Sequence, residues 1–251
     1  MSDTSAEHAV PPPAAHSFPL FYRDPVALSS QQHAHWRLRP GSAGFAAQAH
    51  AVPLMLGEFA AASRHYPIVF GGEAAAPLAL LGLQADDNRF VADTHWRSDT
   101  YVPAYVRRYP FVAVQGDGDA RLLAIDAAAP MLVVEGDEGQ PLFENGEPSA
   151  LTRDAMAFCE LVSQQDIETR AFGAALREAG LLLSRQASVR HADGRQQVVD
   201  GFEVIDAAAL HALDDARVLD WHRRGWLAPL HHHLASLARF PDLLPQPAAG
   251  S

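Results

Sequence analysis

A chain of 251 residues, 48% hydrophobic and 20% charged, is long enough for one large domain with a sizeable buried core. Its net charge of −11 argues against nucleic-acid and anionic-lipid partners, because both need a positive footprint. All 19 basic residues are arginine, which excludes a P-loop phosphate lysine, a Schiff-base lysine and a lysine general base.

Residues 1–20, rich in Ala, Pro, Ser and His, read as a disordered lead without the basic start or apolar run of a secretory signal. A helix is expected around Leu54 to His65. The first half looks strand-rich, with five short apolar runs: PIVFGG (67–72), LALLGL (78–83), FVAV (111–114), RLLAI (121–125) and MLVVE (131–135). The gaps between them are mostly too short for crossover helices, so antiparallel pairing is expected. GDGDA (116–120) and EGDEG (135–139) read as turns.

From Thr152 onward the composition turns helical. Met156, Leu161, Ile167, Phe172, Leu176 and Leu181 form an imperfect stripe, with a break expected near Ser163 and a stop at Gly180. Residues 187–205 read as a hairpin turning at Asp193-Gly194. Asp206 is placed to cap a helix over AAALHAL, and two further helices are expected at about 216–224 and 227–240. Residues 244–251 read as a disordered tail. No run of eighteen apolar residues occurs, so no transmembrane segment is expected. The expectation is a single cytoplasmic α+β domain over residues 21–243, with a mostly antiparallel sheet from the first half packed against helices from the second.

One stretch stands out. In HWRSDTYVPAYVRRYPF (95–111), five residues are aromatic, three of the chain's five tyrosines occur, and three arginines are interleaved. Pro103 suits the first turn of a helix and Pro110 ends it, which predicts two turns over 102–109. Tyr101, Tyr105 and Tyr109, four apart, then line one edge, with Arg108 beside it and Arg107 on another face. Tyr and Arg are enriched in recognition hot spots, and arginine offers a fork to carboxylates. The competing reading is a helix that plugs the sheet, its hydroxyls hydrogen-bonded and its arginines paired.

Catalytic patterns are sparser. His191 and Asp193 form a His-x-Asp pair that, with His222 or His231, has the composition of a non-haem iron triad, although Asp193 also belongs to the expected turn. His33 and His35 are a weak pair, and His231, His232 and His233 on one helix point about 100° apart. Cys159, the one cysteine, lies in a predicted helix and reads as a buried structural thiol. Gly116 and Gly118 lack the third glycine of a dinucleotide loop. The acids Asp117, Asp119, Asp137 and Glu138 lack the full ligand run of a calcium loop.

Several segments together carry a resemblance: HYPIVF (65–70), W-x-x-x-x-YVPAYVRRYPF (96–111), GQPLFENGEPS (139–149), RAFGAALREAGLL (170–182), DGFEVID (200–206) and RGWLAPLHHHLASLARFPDL (224–243). In that order they resemble the SapC family of bacterial proteins, and differ from the peptide-transporter permease of the same name. Members are linked by name to surface-layer systems, and others accompany outer-membrane uptake and oxidative enzymes. The resemblance implies little chemistry, and the leading expectation is a non-catalytic accessory or recognition protein that binds a protein or peptide partner linked to cell-surface or outer-membrane uptake systems. Trp96, Tyr101, Tyr105, Arg107 and Arg108 are the candidate binding residues, and no metal or cofactor is expected. The alternative is an enzyme that modifies or oxidises a peptide or amino acid with a non-haem metal. An enzyme should gather His or acids around a concave pocket, whereas a binder should present an aromatic patch. The triplet His231–His233 departs from the family pattern, so a function built on it would not be a family function.

Overall fold

The computed structural model describes residues 18–116, 118, 121–190 and 196–244. The expected lead and tail fall outside these residues except at Phe18–Leu20 and Leu244. So do Asp117, Asp119, His191 and the Asp193-Gly194 turn.

The short apolar runs of the first half divide between two antiparallel sheets. One contains β1 (Pro25–Ala27), β5 (Phe111–Gln115) and β6 (Arg121–Asp126), in the order β1-β6-β5. The other contains β2 (Ala51–Pro53), β3 (Ile68–Gly71) and β4 (Ala76–Leu80) together with β7 (Leu182–Arg190) and β8 (Gln196–Ile205), in the order β7-β8-β3-β4-β2. The hairpin of the second half therefore supplies two of five strands and docks through Glu203 opposite Phe70, so sheet and helices do not sort by halves. It also begins at Leu182, five residues before the expected start. Pro53 is tolerated because β2 is an edge strand.

Two expectations shrink. The helix expected over Leu54–His65 is a 3-10 turn, Leu56–Glu58, and a four-residue helix, Phe59–Ala62. MLVVE contributes only Leu132–Val133, paired with Arg37–Leu38.

Two helices line the site, α1 (Ala104–Arg107) and α2 (Ala150–Glu178), while α3 (Asp215–Arg223) and α4 (Leu227–Ser236) supply Trp221 and Leu230 to the core. The long α2 runs through Ser163 without the expected break. Ser149 caps it by accepting from Thr152 N. Gly180, at φ +65°, ends it with Leu181 N donating to Leu176 O and Gly180 N to Arg177 O, the paired bonds of a Schellman turn.

The stripe predicted for α2 is half right. Phe172, Leu176 and Leu181 are buried, but Met156, Leu161 and Ile167 are exposed, Ile167 at 64%. The buried face runs through Thr152, Cys159, Val162, Thr169, Phe172, Gly173 and Leu176, nearly a 7-3 repeat. Small and hydroxyl residues occupy it because backbone approaches closely. Thr152 Oγ1 donates to Leu142 O, and Thr169 Oγ1 accepts from Leu56 N. A Cβ on Gly173 would stand 2.7 Å from the carbonyls of Ala74 and Ala75.

Two apolar clusters result, and α2 touches both. Phe172 and Leu176 join Phe59, Tyr66, Phe70, Trp221, Trp226 and Leu230 against the five-stranded sheet. Cys159 joins Tyr22, Tyr109, Phe111, Ile125 and Leu142 beneath the three-stranded one.

His233 shows what became of the triplet. His231 is exposed and His232 half-buried, while His233 is fully buried, its Nε2 accepting from Ile205 N at 3.0 Å. Burial pushes its pKa down to about 4. Because the folded value lies below the unfolded one, this residue's contribution to stability is present above pH 6.5 and is lost as pH falls from 6.5 towards 4. Wild type should lose about 3 kcal/mol more between pH 7 and pH 4 than His233→Gln, read from urea midpoints at each pH. Parallel pH profiles for the two proteins would refute this assignment.

Candidate functional site

The aromatic-arginine block folds as an extended entry, one helical turn and an exit into β5. Pro103 precedes α1 rather than opening it, with φ −56° and ψ 144°, so the helix is half the predicted length. The three tyrosines consequently do not form one edge of a helix. Each is held in a different way.

Tyr101 is half-buried and donates to Glu58 Oε1 at 2.9 Å. Burial first, and Glu58 second, push its pKa up to about 12. Tyr105 is 6% exposed and donates to Leu20 O. Tyr109 is equally buried and donates to Asp126 Oδ2 at 2.8 Å. An aromatic cluster of Phe21, Tyr22 and Phe45 packs around the last two, with Phe45 and Tyr109 centroids 4.2 Å apart. Phe21 takes φ +80°, a strained conformation for an aromatic residue, and places its ring against Phe45, Tyr105 and Tyr109. Trp96 is half-buried; its indole N–H donates to Tyr66, whose own hydroxyl donates to Tyr101 O.

The arginines divide. Arg107 is exposed, stacks over Phe158 at 4.9 Å, donates from Nε to Val102 O, and reaches the Tyr101 hydroxyl at 3.2 Å. Arg108 is half-buried over the Tyr105 ring at 4.3 Å, and its Nε has no hydrogen-bond partner.

The block borders a groove of about 540 Å³. Its walls come from the 38–45 loop, α1 and the first turns of α2, with Phe45, Trp96, Val106, Met131, Phe158 and Cys159 among the apolar faces. Arg39, Ser42, His95, Arg107 and Asp154 are exposed at its rim. A second cavity, of about 510 Å³, lies towards Met55, Tyr105, Val112 and Thr169, and Arg108 lines both. Trp96, Arg107 and Arg108 of the five predicted residues thus meet at the groove. Tyr105 faces the second cavity, and Tyr101 lines neither.

Among the described residues, no hydrogen bond or ion pair joins a histidine to an acid at the groove, where His95 Nδ1 meets Asp93 O. The buried Cys159 thiol is pushed up to about 11 by burial, although Arg108 pulls the other way, so it stays protonated at neutral pH. His33 Nδ1 accepts from Ser29 N, and its ring lies 4.1 Å from Trp36. Among the described residues no three His, Cys, Asp or Glu side chains are grouped to hold a metal. A larger concavity, about 920 Å³, lies instead beside Arg177 and Glu203, where the guanidinium already bridges both carboxylate oxygens at 2.9 and 2.7 Å.

Sequence reasoning missed Glu58, Asp126 and the α2 wall of the groove. Glu58 and Asp126 lie 43 and 17 residues from the tyrosines they bind, so nothing near either tyrosine in the chain points to its partner. Phe158 and Cys159 were legible only as members of a helix.

A family model for SapC matches residues 28–243. The chain belongs to the SapC family. The match takes in the whole groove together with Glu58 and Asp126. No curated protein and no solved structure matches the chain. No described helix of this SapC-family chain is long and apolar enough to cross a membrane.

Proposed function

We propose that this SapC-family chain is a non-catalytic recognition protein whose groove docks an apolar segment of a protein or peptide partner. As the family resemblance implies, that partner belongs to cell-surface or outer-membrane uptake systems, met in the cytoplasm. The observation that carries the reading is the groove itself: apolar walls, an exposed polar rim, and the half-buried Arg108 at its inner face. Trp96, Arg107 and Arg108 touch the partner. Tyr101 and Tyr105 position them through Glu58 and Leu20. The acidic chain favours this over nucleic acid, since −11 of net charge repels phosphate.

The test is a photo-crosslinking amino acid at Asp154, on the rim, compared with the same group at Ala157, which is exposed on α2 outside the groove. Discrete adducts are expected at position 154, falling about tenfold with Arg108→Gln, as for loss of a charged hydrogen bond. Equal labelling at 154 and 157 would sink the groove as a docking site. A stoichiometric metal or organic mass on the native, untagged protein would overturn the non-catalytic part.

A further inference from the structure

Two buried side-chain nitrogens lack a hydrogen-bond partner among the described residues, His233 Nδ1 and Arg108 Nε. The first is enclosed in the core. The second belongs to a cation that lines two cavities. Its surroundings are aromatic rings and neutral hydroxyls: Tyr105 at 4.3 Å, Tyr22 at 5.9 Å, and the oxygens of those two tyrosines. Those hydroxyls give their own protons to the Phe111 and Leu20 carbonyls.

No described acid lies within ion-pair distance of Arg108. Asp154 stands at the groove rim without reaching it, and Asp166, in the second cavity, is bound to Arg170 at 2.7 Å. A half-buried guanidinium thus has no acidic partner among the described residues, in surroundings where charge–charge attraction is stronger than at the surface. The walls beside it are apolar, and the groove opens to solvent past Arg39, Ser42 and His95.

We infer that Arg108 receives the terminal carboxylate of a peptide whose last residue is apolar. The carboxylate meets the guanidinium, the last side chain lies between Phe45, Met131 and Phe158, and the preceding residues leave over the polar rim. A chain terminus fits because it carries an anion and an apolar side chain on the same carbon, matching a cation set directly beside apolar walls. This rests on the recognition reading above and narrows it to chain ends.

The probe is a pool of hexapeptides randomised at five positions and ending in Leu or Phe, made as free acids and as C-terminal amides. Retention on the full-length protein is read by mass spectrometry. Wild type should retain the free-acid pool at least about tenfold over the amide pool, a charge-assisted hydrogen bond's worth of discrimination. Arg108→Gln should abolish the preference, and Arg108→Lys should keep part of it. Thermal melting checks that the variants fold, and if they do not, the acid–amide comparison on wild type decides alone. Equal retention of both pools, or retention of neither, overturns the inference; adducts persisting at position 154 would then show that recognition survives without it. If 3-phenylpropionate displaces the free-acid pool as strongly as the peptides bind, the ligand is a small free acid and the assignment to a chain terminus is wrong.

Discussion

Asp126→Ala should lower the unfolding free energy by about 4 kcal/mol, a large share of the roughly 5–15 kcal/mol that a domain has. Asp126 has no solvent exposure. Its carboxyl accepts from Asp24 N at 2.7 Å, Arg23 N at 3.2 Å and the Tyr109 hydroxyl at 2.8 Å. Alanine strands a phenol and three backbone N–H groups, the third being Ala128 N at 3.4 Å, each costing about 1–3 kcal/mol when left unpaired. Asn should cost less, because it keeps one acceptor oxygen. The measurement is a shift in urea midpoint at unchanged slope. A double-mutant cycle with Tyr109→Phe should show strong coupling, since both changes break one hydrogen bond. A loss below about 1 kcal/mol would show that water or a neighbouring group replaces the clamp.

Glu58→Ala should cost nearly as much, about 3–4 kcal/mol, and should also weaken capture at the groove. Glu58 is 5% exposed and accepts from Met55 N at 2.8 Å, Ala104 N at 2.6 Å and the Tyr101 hydroxyl at 2.9 Å. It ties the turn before Phe59–Ala62 to the start of α1, and through Tyr101 it orients Arg107. Calorimetry reads the stability loss, and crosslinking at position 154 reads the second effect at a temperature where the variant remains folded. Unaltered crosslinking in a destabilised but folded variant would mean that Glu58 holds the fold without shaping the groove.

These two carboxyl groups answer the question raised by HWRSDTYVPAYVRRYPF. Glu58 holds the front of the block and Asp126 its exit, and between them the tyrosines are committed to packing and to internal hydrogen bonds. The block looked like a recognition surface because its residue types are those of hot spots. Most of that aromatic surface is instead folded inward against Phe21, Tyr22 and Phe45, leaving Trp96 and the two arginines for the groove.

Local patterns carried much of the fold. The strands β3, β5 and β6, the Gly180 stop and the Asp206 cap over Ala207–His211 depend on neighbours a few residues apart, so short stretches of sequence determine them. The family, too, was legible from short segments in order. The buried face of α2 was not, because Thr152, Thr169 and Gly173 carry it, and a reading keyed to large apolar side chains chose Met156, Leu161 and Ile167 instead. Only the tertiary structure could show that a serine cap, two threonines and a glycine let that helix lie close to backbone.

The same division holds at the site. The sequence by itself determined an acidic, lysine-free SapC-type α+β chain with three of its five tyrosines, and three of its 19 arginines, in one stretch. That Arg108 lies half-buried with no acid beside it among the described residues was decided by tertiary structure alone. Pairing depends on which side chains meet across long sequence separations, and burial then sets how much a missing partner costs. Arg177 met Glu203 across 26 residues and is satisfied, while Arg108 met tyrosines and two cavities.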